Sequence, residues 1–285
     1  MKRFISLFLM SVTVASCLFG AEPVKVMSIN TRYDNGGDGR NGWAQRRERV
    51  AKAIAFYDAD IVGAQEVLAN QMADLKARLP QYGAVGLGRE DGVAKGEYEP
   101  VFFKKDRYEL VDSGHFWLSQ TPEVKGSLGW DGACVRMASW ARLRDRRSGA
   151  ELLAMNTHLD HVGPEARRQG AILLLQRIDS ITGGGKIPVV LTGDFNSKPA
   201  GEPIRIITDR MRKGHLDSSH DKAELNYGPE WSYHDFDRVP YAERGLIDYI
   251  FVTPGARVKS FGVLAEKDGE AFISDHCPVI ATVIL

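Results

Sequence analysis

The sequence contains little cysteine and no excess of charge of either sign. Its 285 residues include three cysteines, too few for a disulfide framework, and the spacing of Cys134 and Cys277 forms no zinc-binding motif. Lysine and arginine together number 37, as do aspartate and glutamate, so the formal net charge is zero. Domains that hold nucleic acid by bulk electrostatics usually carry a basic excess, so this balance disfavours such a partner without excluding it.

Long hydrophobic runs are also scarce. The one that stands out lies at the N-terminus, where Lys2 and Arg3 precede an apolar stretch from Phe4 to Leu18. A stretch of this length and position is too short for a membrane span and is typical of a secretory signal. We therefore expect residues 1–21 to be a signal peptide and the protein to be exported from the cytoplasm. Loss of the two basic residues would leave a slightly acidic chain.

The fate of the exported chain depends on Cys17. The segment Val14–Cys17 resembles a bacterial lipobox, in which Cys17 would be lipidated and become the first mature residue. The alternative is a plain signal peptide that happens to contain a cysteine. The first interpretation predicts a periplasmic, outer-membrane or cell-surface lipoprotein that touches the membrane only through its lipid anchor. The second predicts a periplasmic or secreted protein.

The rest of the sequence, residues 22–285, has the composition of a folded domain. Hydrophobic residues make up 44% of the chain and charged residues 26%, which excludes general disorder. We find no repeat, low-complexity tract or linker that would divide this part of the chain. We therefore expect one domain, and we expect it to be monomeric.

Apolar, β-rich runs alternate with helical patterns from end to end of this domain. Helices are predicted at Arg46–Tyr57, Val67–Leu79 and Pro164–Ile181, and single strands at Val24–Ile29, Ile61–Gln65, Pro188–Thr192, Ile247–Thr253, Val258–Leu264 and Val279–Leu285. Two hairpin-like pairs are predicted, Pro100–Lys104 with Tyr108–Ser113 and Ala138–Arg144 with Glu151–Thr157. Hairpins mixed with long helices disfavour a doubly wound parallel sheet. They favour an α/β sandwich of two largely antiparallel sheets.

Carboxylates, amides and histidines are concentrated where the predicted strands end. These residues are Asn30, Glu66, His158, Asp194, Asn196, Asp275 and His276, with Asp248 at the start of another strand. Any one of them could be a cap or a turn residue, but their recurrence at six strand ends indicates a common site. Oxygen ligands suit a hard cation such as Mg²⁺ or Mn²⁺, and the two histidines supply acid–base or anion-stabilising groups.

Six short motifs, taken in order, resemble the endonuclease/exonuclease/phosphatase superfamily. They are Ser28–Asn30, Ala64–Glu66, Asn156–Leu159, Thr192–Asn196, Ile247–Tyr249 and Ser274–His276. The likeness runs from about Val24 to Leu285, and it is strongest toward secreted bacterial members. The resemblance implies a four-layer α/β sandwich, in which two mostly antiparallel mixed β-sheets are flanked by helices. It also implies an enzyme that hydrolyses phosphate esters.

The resemblance further implies a metal site. Glu66 would be the principal ligand of a catalytic Mg²⁺, with Mn²⁺ as an alternative, and Asn30 and Asp275 would help to hold the ion. The ion would polarise a phosphoryl oxygen and stabilise the leaving oxygen.

The other motif residues are implied to act on water and phosphate. His276 would activate or orient the attacking water, and Asp248 would hold its imidazole through the other ring nitrogen. Asp194 and Asn196 would position that water and the phosphoryl oxygens. His158 would hydrogen-bond the developing negative charge. The implied reaction is in-line hydrolysis without a covalent enzyme intermediate.

The sequence defines the substrate less sharply. Arg32, Arg136 and Arg167 are candidates for binding phosphate or sugar through paired hydrogen bonds, and His234 is a candidate for touching the substrate. Arg167 begins a helix face and is alternatively a solvated side chain. We expect a small, sugar, inositol or lipid-linked phosphoester. The alternatives are a metal-dependent nuclease, which would need a basic strip along its surface, and a non-catalytic surface binding protein.

The lipobox interpretation predicts that Cys17→Ser moves the protein from membrane fractions to the soluble fraction, because the substitution removes the only thiol that could carry the lipid. Immunoblotting of fractionated cells measures this change. A Cys134→Ser variant serves as the control and should stay with the membrane. Wild-type protein that is already soluble would show that the lipobox match is accidental.

Overall fold

The computed structural model describes residues 22–269 and 271–285. The expected signal segment, residues 1–21 with Cys17, lies outside the described residues. Across the described ranges, no helix combines the length and the apolar character needed to cross a membrane.

Most of the described strands and helices lie where the apolar runs predict them. In chain order the elements are β1 (Val24–Asn30), α1 (Trp43–Tyr57), β2 (Ile61–Gln65), α2 (Ala69–Arg78), β3 (Tyr82–Val85), β4 (Val101–Lys104), β5 (Tyr108–Trp117), β6 (Met137–Asp145), β7 (Glu151–His158), α3 (Pro164–Ile181), β8 (Val189–Asp194), α4 (Glu202–Thr208), β9 (Asp217–Ser218), α5 (Ser219–Lys222), β10 (Asn226–Tyr227), β11 (Asp248–Val252), β12 (Arg257–Val263), β13 (Lys267–Asp268), β14 (Ala271–Phe272) and β15 (Val279–Ile284). A 3-10 segment with a kink at Gly39 lies at Gly36–Asn41, and a single 3-10 turn lies at Tyr241–Glu243.

The strands form two mixed sheets, which confirms the predicted α/β sandwich. The first sheet has the order β10–β12–β15–β1–β2–β4–β3 and the second the order β5–β6–β7–β8–β11–β9, while β13 and β14 form a separate ribbon. Pairing is parallel between β1 and β2, β7 and β8, and β10 and β12, and antiparallel elsewhere in these sheets. Helices α1 and α2 share an apolar cluster with the first sheet, and α3 and α4 share one with the second. The sheets are thus flanked by helices.

One of the two predicted hairpins is wrong. The pair β6 and β7 is antiparallel as predicted, but β4 pairs with β2 and β3 whereas β5 pairs with β6 in the other sheet. The chain crosses between the sheets at Arg107, which donates to Asp60 Oδ2 at 2.7 Å and to Asp145 Oδ2 at 3.0 Å. An alternating pattern identifies a strand but does not determine which neighbour it pairs with.

The two sheets are joined by the buried side-chain amide of Asn156 in β7. Its Nδ2 donates to the carbonyl oxygens of Ala64 and Pro100 at 2.6 and 3.1 Å. Its Oδ1 accepts from Gln65 Nε2 at 2.6 Å and from Thr192 Oγ1 at 3.0 Å. All four hydrogen-bonding positions of the amide are therefore occupied, by groups that belong to both halves of the sandwich.

Gly63 in β2 permits this close approach. A Cβ atom at this position would lie 1.9 Å from Thr192 Oγ1 and 2.5 Å from Asn156 Oδ1, so the sheets would have to move apart to admit it. We predict that Gly63→Ala lowers the free energy of unfolding by roughly 1–3 kcal/mol through overpacking. Urea denaturation followed by circular dichroism measures the change.

Gly36→Ala is the matched control for this substitution. Gly36 is exposed and a Cβ there would meet no atom within 4 Å, so a change of less than about 0.5 kcal/mol is expected. Equal stabilities of the two variants would contradict the interpretation that the sheets need a glycine at position 63.

Candidate active site

The residues predicted from the strand ends meet at one end of the sandwich. Because β1 and β2 run parallel, and β7 and β8 run parallel, the carboxyl ends of each pair lie side by side: Asn30 pairs with Gln65, and His158 with Asp194. Asp248 begins β11 and pairs with Asp194 from the other side. A cavity of about 590 Å³ opens at this end, and its lining includes Glu66, His158, Asp194, Asn196, Asp275 and His276, whereas Asn30 and Asp248 are not among its lining residues.

Three residues that follow these strands adopt left-handed backbone conformations. They are Arg32, Glu66 and Asn196, with φ values of 53°, 60° and 45°. Such conformations cost about 1–3 kcal/mol each in a residue other than glycine and occur most often at functional sites. The turns direct backbone N–H groups at the site: Asn196 N donates to Asp194 Oδ1 at 2.9 Å, and Tyr33 N donates to Glu66 Oε2 at 3.1 Å.

Asp194 lies at the centre of the site. Its Oδ2 is 3.1 Å from Asn30 Nδ2, 3.4 Å from His158 Nε2 and 3.8 Å from His276 Nε2. The side chain is 2% exposed. Burial, with a further contribution from the charge of Asp248, raises the pKa of Asp194. The carboxyl group is therefore suited to accept a proton near neutral pH.

His276 and Asp248 form a buried pair. His276 Nδ1 donates to Asp248 Oδ2 at 2.8 Å. Burial opposes a charged imidazole, but the charge and hydrogen bond of Asp248, aided by Asp194 and Asp275, outweigh it and hold the pKa of His276 well above its usual value. The resulting imidazolium can hold a proton at Nε2, on the side that faces Asp194.

His158 differs from His276 in its charge. Burial lowers the pKa of His158 well below its usual value, and the neighbouring charges of Arg136 and Arg89 lower it further, so the ring is neutral. Its Nε2 accepts from Asn196 Nδ2 at 3.0 Å. One of its ring nitrogens lies within 4.8 Å of carboxylate oxygens of Glu97 and Glu99.

Glu99 is a second buried acid beside this histidine. It is fully buried, and neither carboxyl oxygen has a hydrogen-bond partner among the described residues. Burial, with the neighbouring charge of Glu97, raises the pKa of Glu99 well above its usual value. The sequence reasoning did not find Glu97 and Glu99, because they lie in a loop before β4 and do not follow a strand. The signal in the sequence is the long polar stretch of residues 86–97, which ends at Glu97, because loops of that length are often binding elements.

The residues predicted to hold a metal lie together at one side of the cavity. Asn30 Nδ2 donates to Glu66 Oε1 at 3.0 Å, and Arg32 Nη1 is 3.7 Å from Asp275 Oδ2. Burial raises the pKa of Asp275, and the charge of Glu66 contributes to the increase, which shows that the two carboxylates repel each other across the site. A cation held near both would relieve this repulsion. The two carboxylates are hard oxygen donors that fit a divalent ion such as Mg²⁺ or Mn²⁺. Asn30 presents its Nδ2 to Glu66, while its Oδ1 accepts from the backbone N–H of Arg32 at 2.9 Å, so here the amide holds the carboxylate and does not offer its oxygen to an ion.

The four candidate substrate residues divide into two pairs. Arg32 and Arg136 line the cavity, whereas Arg167 and His234 are not among its lining residues. Arg167 Nη1 donates to the carbonyl oxygen of Asp160 at 2.9 Å. His234 is 3% exposed, and its backbone N–H donates to the carbonyl oxygen of Asp275 at 3.1 Å. The contacts of His234 therefore support the loop that carries Asp275.

This fold and this site define a class of enzymes, the hydrolases of phosphate esters that are built on a sandwich of two mixed sheets. The chain belongs to the endonuclease/exonuclease/phosphatase family, whose profile matches residues 27–276.

Two solved bacterial structures are similar over nearly their whole length. An endonuclease/exonuclease/phosphatase from Bacteroides vulgatus is 44% identical, with a TM-score of 0.88, and the likeness covers 92% of this chain and 99% of that one. A mannosyl-6-phosphatase from Bacteroides thetaiotaomicron is 36% identical, with a TM-score of 0.85, covering 92% of this chain and 100% of that one.

A nuclease is a more distant relative. The 3′-5′-exoribonuclease subunit Ccr4 of the CCR4-Not complex from Mycosarcoma maydis is 23% identical over 283 residues, covering 79% of this chain. The match covers 42% of that relative's length. The chain thus spans less than half of this nuclease subunit.

The metal assignment predicts that Glu66→Gln weakens Mn²⁺ binding on the order of tenfold or more, because the amide loses the charge that attracts the ion. Titration of the protein with Mn²⁺, followed by electron paramagnetic resonance, measures binding without any need for activity. Glu48→Gln, which changes an exposed carboxylate paired with Arg78, should bind Mn²⁺ as the wild type does. Equal affinities of all three proteins would exclude Glu66 as a ligand.

Proposed function

We propose that this protein is a divalent-metal-dependent phosphatase that hydrolyses phosphate monoesters of small molecules by in-line attack of water. The charge of the cavity lining carries this proposal. Histidines aside, the lining contains four cationic side chains (Arg32, Arg89, Arg136 and Lys198) and four carboxylates (Glu66, Glu97, Asp194 and Asp275). A bound divalent cation would therefore give it a formal excess of two positive charges. That excess complements the doubly charged phosphate group of a monoester near neutral pH.

The motif residues can accept and donate the protons that such a reaction transfers. Asp194, with its raised pKa, is placed to accept a proton from water. The imidazolium of His276, 3.8 Å from Asp194 Oδ2, can donate its own Nε2 proton to the leaving oxygen and regain a proton from Asp194, while Asp248 fixes its ring. His158 is neutral and orients the amide of Asn196 toward the cavity. A bound divalent cation would supply the Lewis-acid polarisation of a phosphoryl oxygen.

The comparisons support a monoester more strongly than a nucleic acid. The mannosyl-6-phosphatase is 36% identical over its whole length, whereas the exoribonuclease subunit is 23% identical and more than twice as long as the matched part. A nuclease on DNA or RNA stays the alternative, because both activities occur among these relatives. We also propose that the enzyme works outside the cytoplasm, as the signal expected at residues 1–21 implies.

Activity assays test the proposal directly. The purified protein is assayed on p-nitrophenyl phosphate, mannose 6-phosphate, bis-p-nitrophenyl phosphate and plasmid DNA, with Mg²⁺, Mn²⁺ or EDTA. We expect the monoesters to be the best substrates and EDTA to abolish their hydrolysis. Glu66→Gln and His276→Ala should each lower kcat by roughly 10²–10⁴-fold, because they remove a ligand and a proton-transfer group.

A His215→Ala variant is the control, since His215 lies outside the cavity lining and should keep wild-type activity. Activity that is insensitive to EDTA, or full activity in both site variants, would contradict the mechanism. Plasmid cleavage faster than monoester cleavage, with a steep fall on adding salt, would favour the nuclease.

A further inference from the structure

One wall of the catalytic cavity consists of residues that the six motifs do not contain. Arg89, Glu97, Arg136 and His161 line it, and we refer to these four residues as the polar wall. Arg89 donates to Glu97 through both terminal nitrogens, at 2.6 and 2.9 Å. The two side chains are 9% and 17% exposed. The carboxylate of Glu97 is thus held rigidly by a two-pronged bond and keeps unused lone pairs.

Arg136 and His161 form the second pair of the polar wall. Arg136 Nη2 lies 3.1 Å from His161 Nδ1. Arginine is always a donor, so His161 Nδ1 must be the acceptor, and the ring proton of a neutral His161 is on Nε2. His161 is an exposed residue at the cavity, and among the described residues its Nε2–H has no hydrogen-bond partner. This group can therefore donate to a ligand.

The positive charge of Arg136 has carboxylates nearby, but not all of its N–H groups are hydrogen-bonded. Its side chain is 6% exposed, and Nε and Nη1 have no hydrogen-bond partner among the described residues. Nε is 3.7 Å from Asp160 Oδ2, and Nη1 is 4.0 Å from Glu97 Oε2. Asp160 is held in place by the backbone N–H groups of Ala133, Cys134, Val162 and Gly163. The buried guanidinium thus fixes the tautomer of His161.

The four residues of the polar wall carry two guanidinium groups and one carboxylate, and Asp160 beside Arg136 supplies a second carboxylate. Counted with Asp160, this group of charges is formally neutral, and each guanidinium has a carboxylate beside it. A second phosphate placed here would meet the negative charge of Glu97. A hydroxyl group fits better, because it donates a proton to one partner and accepts one from another. Glu97 offers the acceptor and His161 Nε2–H the donor. Adjacent hydroxyls of a sugar ring present the matching pattern.

We propose that the polar wall binds the hydroxyl groups of a singly phosphorylated sugar, with Glu97 as acceptor and His161 as donor, and that it selects sugar monophosphates over sugar bisphosphates. Arg136 is a positioning residue in this arrangement, because it acts through His161. The inference rests on the proposed function, since the phosphate of the same molecule would occupy the end of the cavity that carries Glu66 and Asp275.

A change of substrate preference in Glu97→Gln tests the role of the carboxylate. We expect kcat/KM for mannose 6-phosphate, relative to p-nitrophenyl phosphate, to fall on the order of tenfold. We expect kcat/KM for mannose 1,6-bisphosphate, also relative to p-nitrophenyl phosphate, to rise by a similar factor, because the repelling charge is gone. Mere structural damage would not move these two ratios in opposite directions.

Glu224→Gln is the matched control. Glu224 accepts a similar two-pronged bond from Arg257 on the surface, away from the cavity lining, so its loss should leave both ratios at the wild-type values. If Glu97→Gln also leaves both ratios at the wild-type values in an active phosphatase, the polar wall does not set specificity and the inference is wrong.

His161 variants test the donor. His161→Leu removes the Nε2–H and should raise KM for mannose 6-phosphate on the order of tenfold. His161→Gln keeps an N–H donor at the same place and should restore most of the affinity. A KM that is unchanged in His161→Leu, or equally raised in both variants, would contradict a hydrogen bond from this nitrogen.

Failure of the proposed function gives a different result from failure of this inference. A wild-type protein that hydrolyses no monoester with any divalent metal would overturn the function. The polar wall is then tested by saturation-transfer NMR with mannose as the probe. Signal that is lost in Glu97→Gln and kept in Glu224→Gln supports the hydroxyl site. Signal that is absent in the wild type, or equal in all three proteins, overturns it.

Discussion

The side-chain amide of Asn156 is the contact on which the two halves of the molecule depend. An unsatisfied amide between two sheets would cost several kcal/mol, but here all four of its hydrogen bonds are made, with partners fixed in β2, β8 and the start of β4. Its partner Gln65 immediately precedes Glu66, its partner Thr192 lies two residues before Asp194, and Asn156 itself lies two residues before His158. The network therefore sets the distances among Glu66, Asp194 and His158, the proposed metal ligand and two groups proposed to act on the phosphate.

At the same end of the sandwich, two buried histidines carry different charges. His276 is held as a cation by Asp248, while His158 is kept neutral by burial and by the nearby guanidinium groups. Asp194 lies within 4 Å of both rings. The two imidazoles thus differ in charge, because His276 is hydrogen-bonded to the carboxylate of Asp248, whereas His158 is hydrogen-bonded to the amide of Asn196 and lies near two guanidinium groups. The zero net charge of the chain conceals this local separation.

Much of the site could be predicted because its residues directly follow or begin buried strands. The runs ending at Asn30, Gln65, His158 and Asp194 have unmistakable apolar patterns, and parallel pairing brings their ends together. Prediction failed where tertiary contacts decide. The strands β4 and β5 are neighbours in sequence, yet the ion pairs of Arg107 anchor their connection to both sheets. Arg167 begins α3, but its guanidinium bonds a carbonyl group and is not part of the cavity lining.

The sequence by itself determined which segments are strands, which polar groups stand at their ends, and that these groups suit a hard cation and proton transfer. Periodicity and covalent adjacency are local, so one chain suffices to reveal them. Only the tertiary structure decided that Arg89 and Glu97, from the loop before β4, face the same cavity as Arg136 and His161, which flank β6 and β7. That proximity arises from packing one sheet on the other, and no local pattern encodes it. For the same reason, the sequence indicates phosphate chemistry, whereas the residues proposed to recognise the alcohol come from loops that only folding brings together.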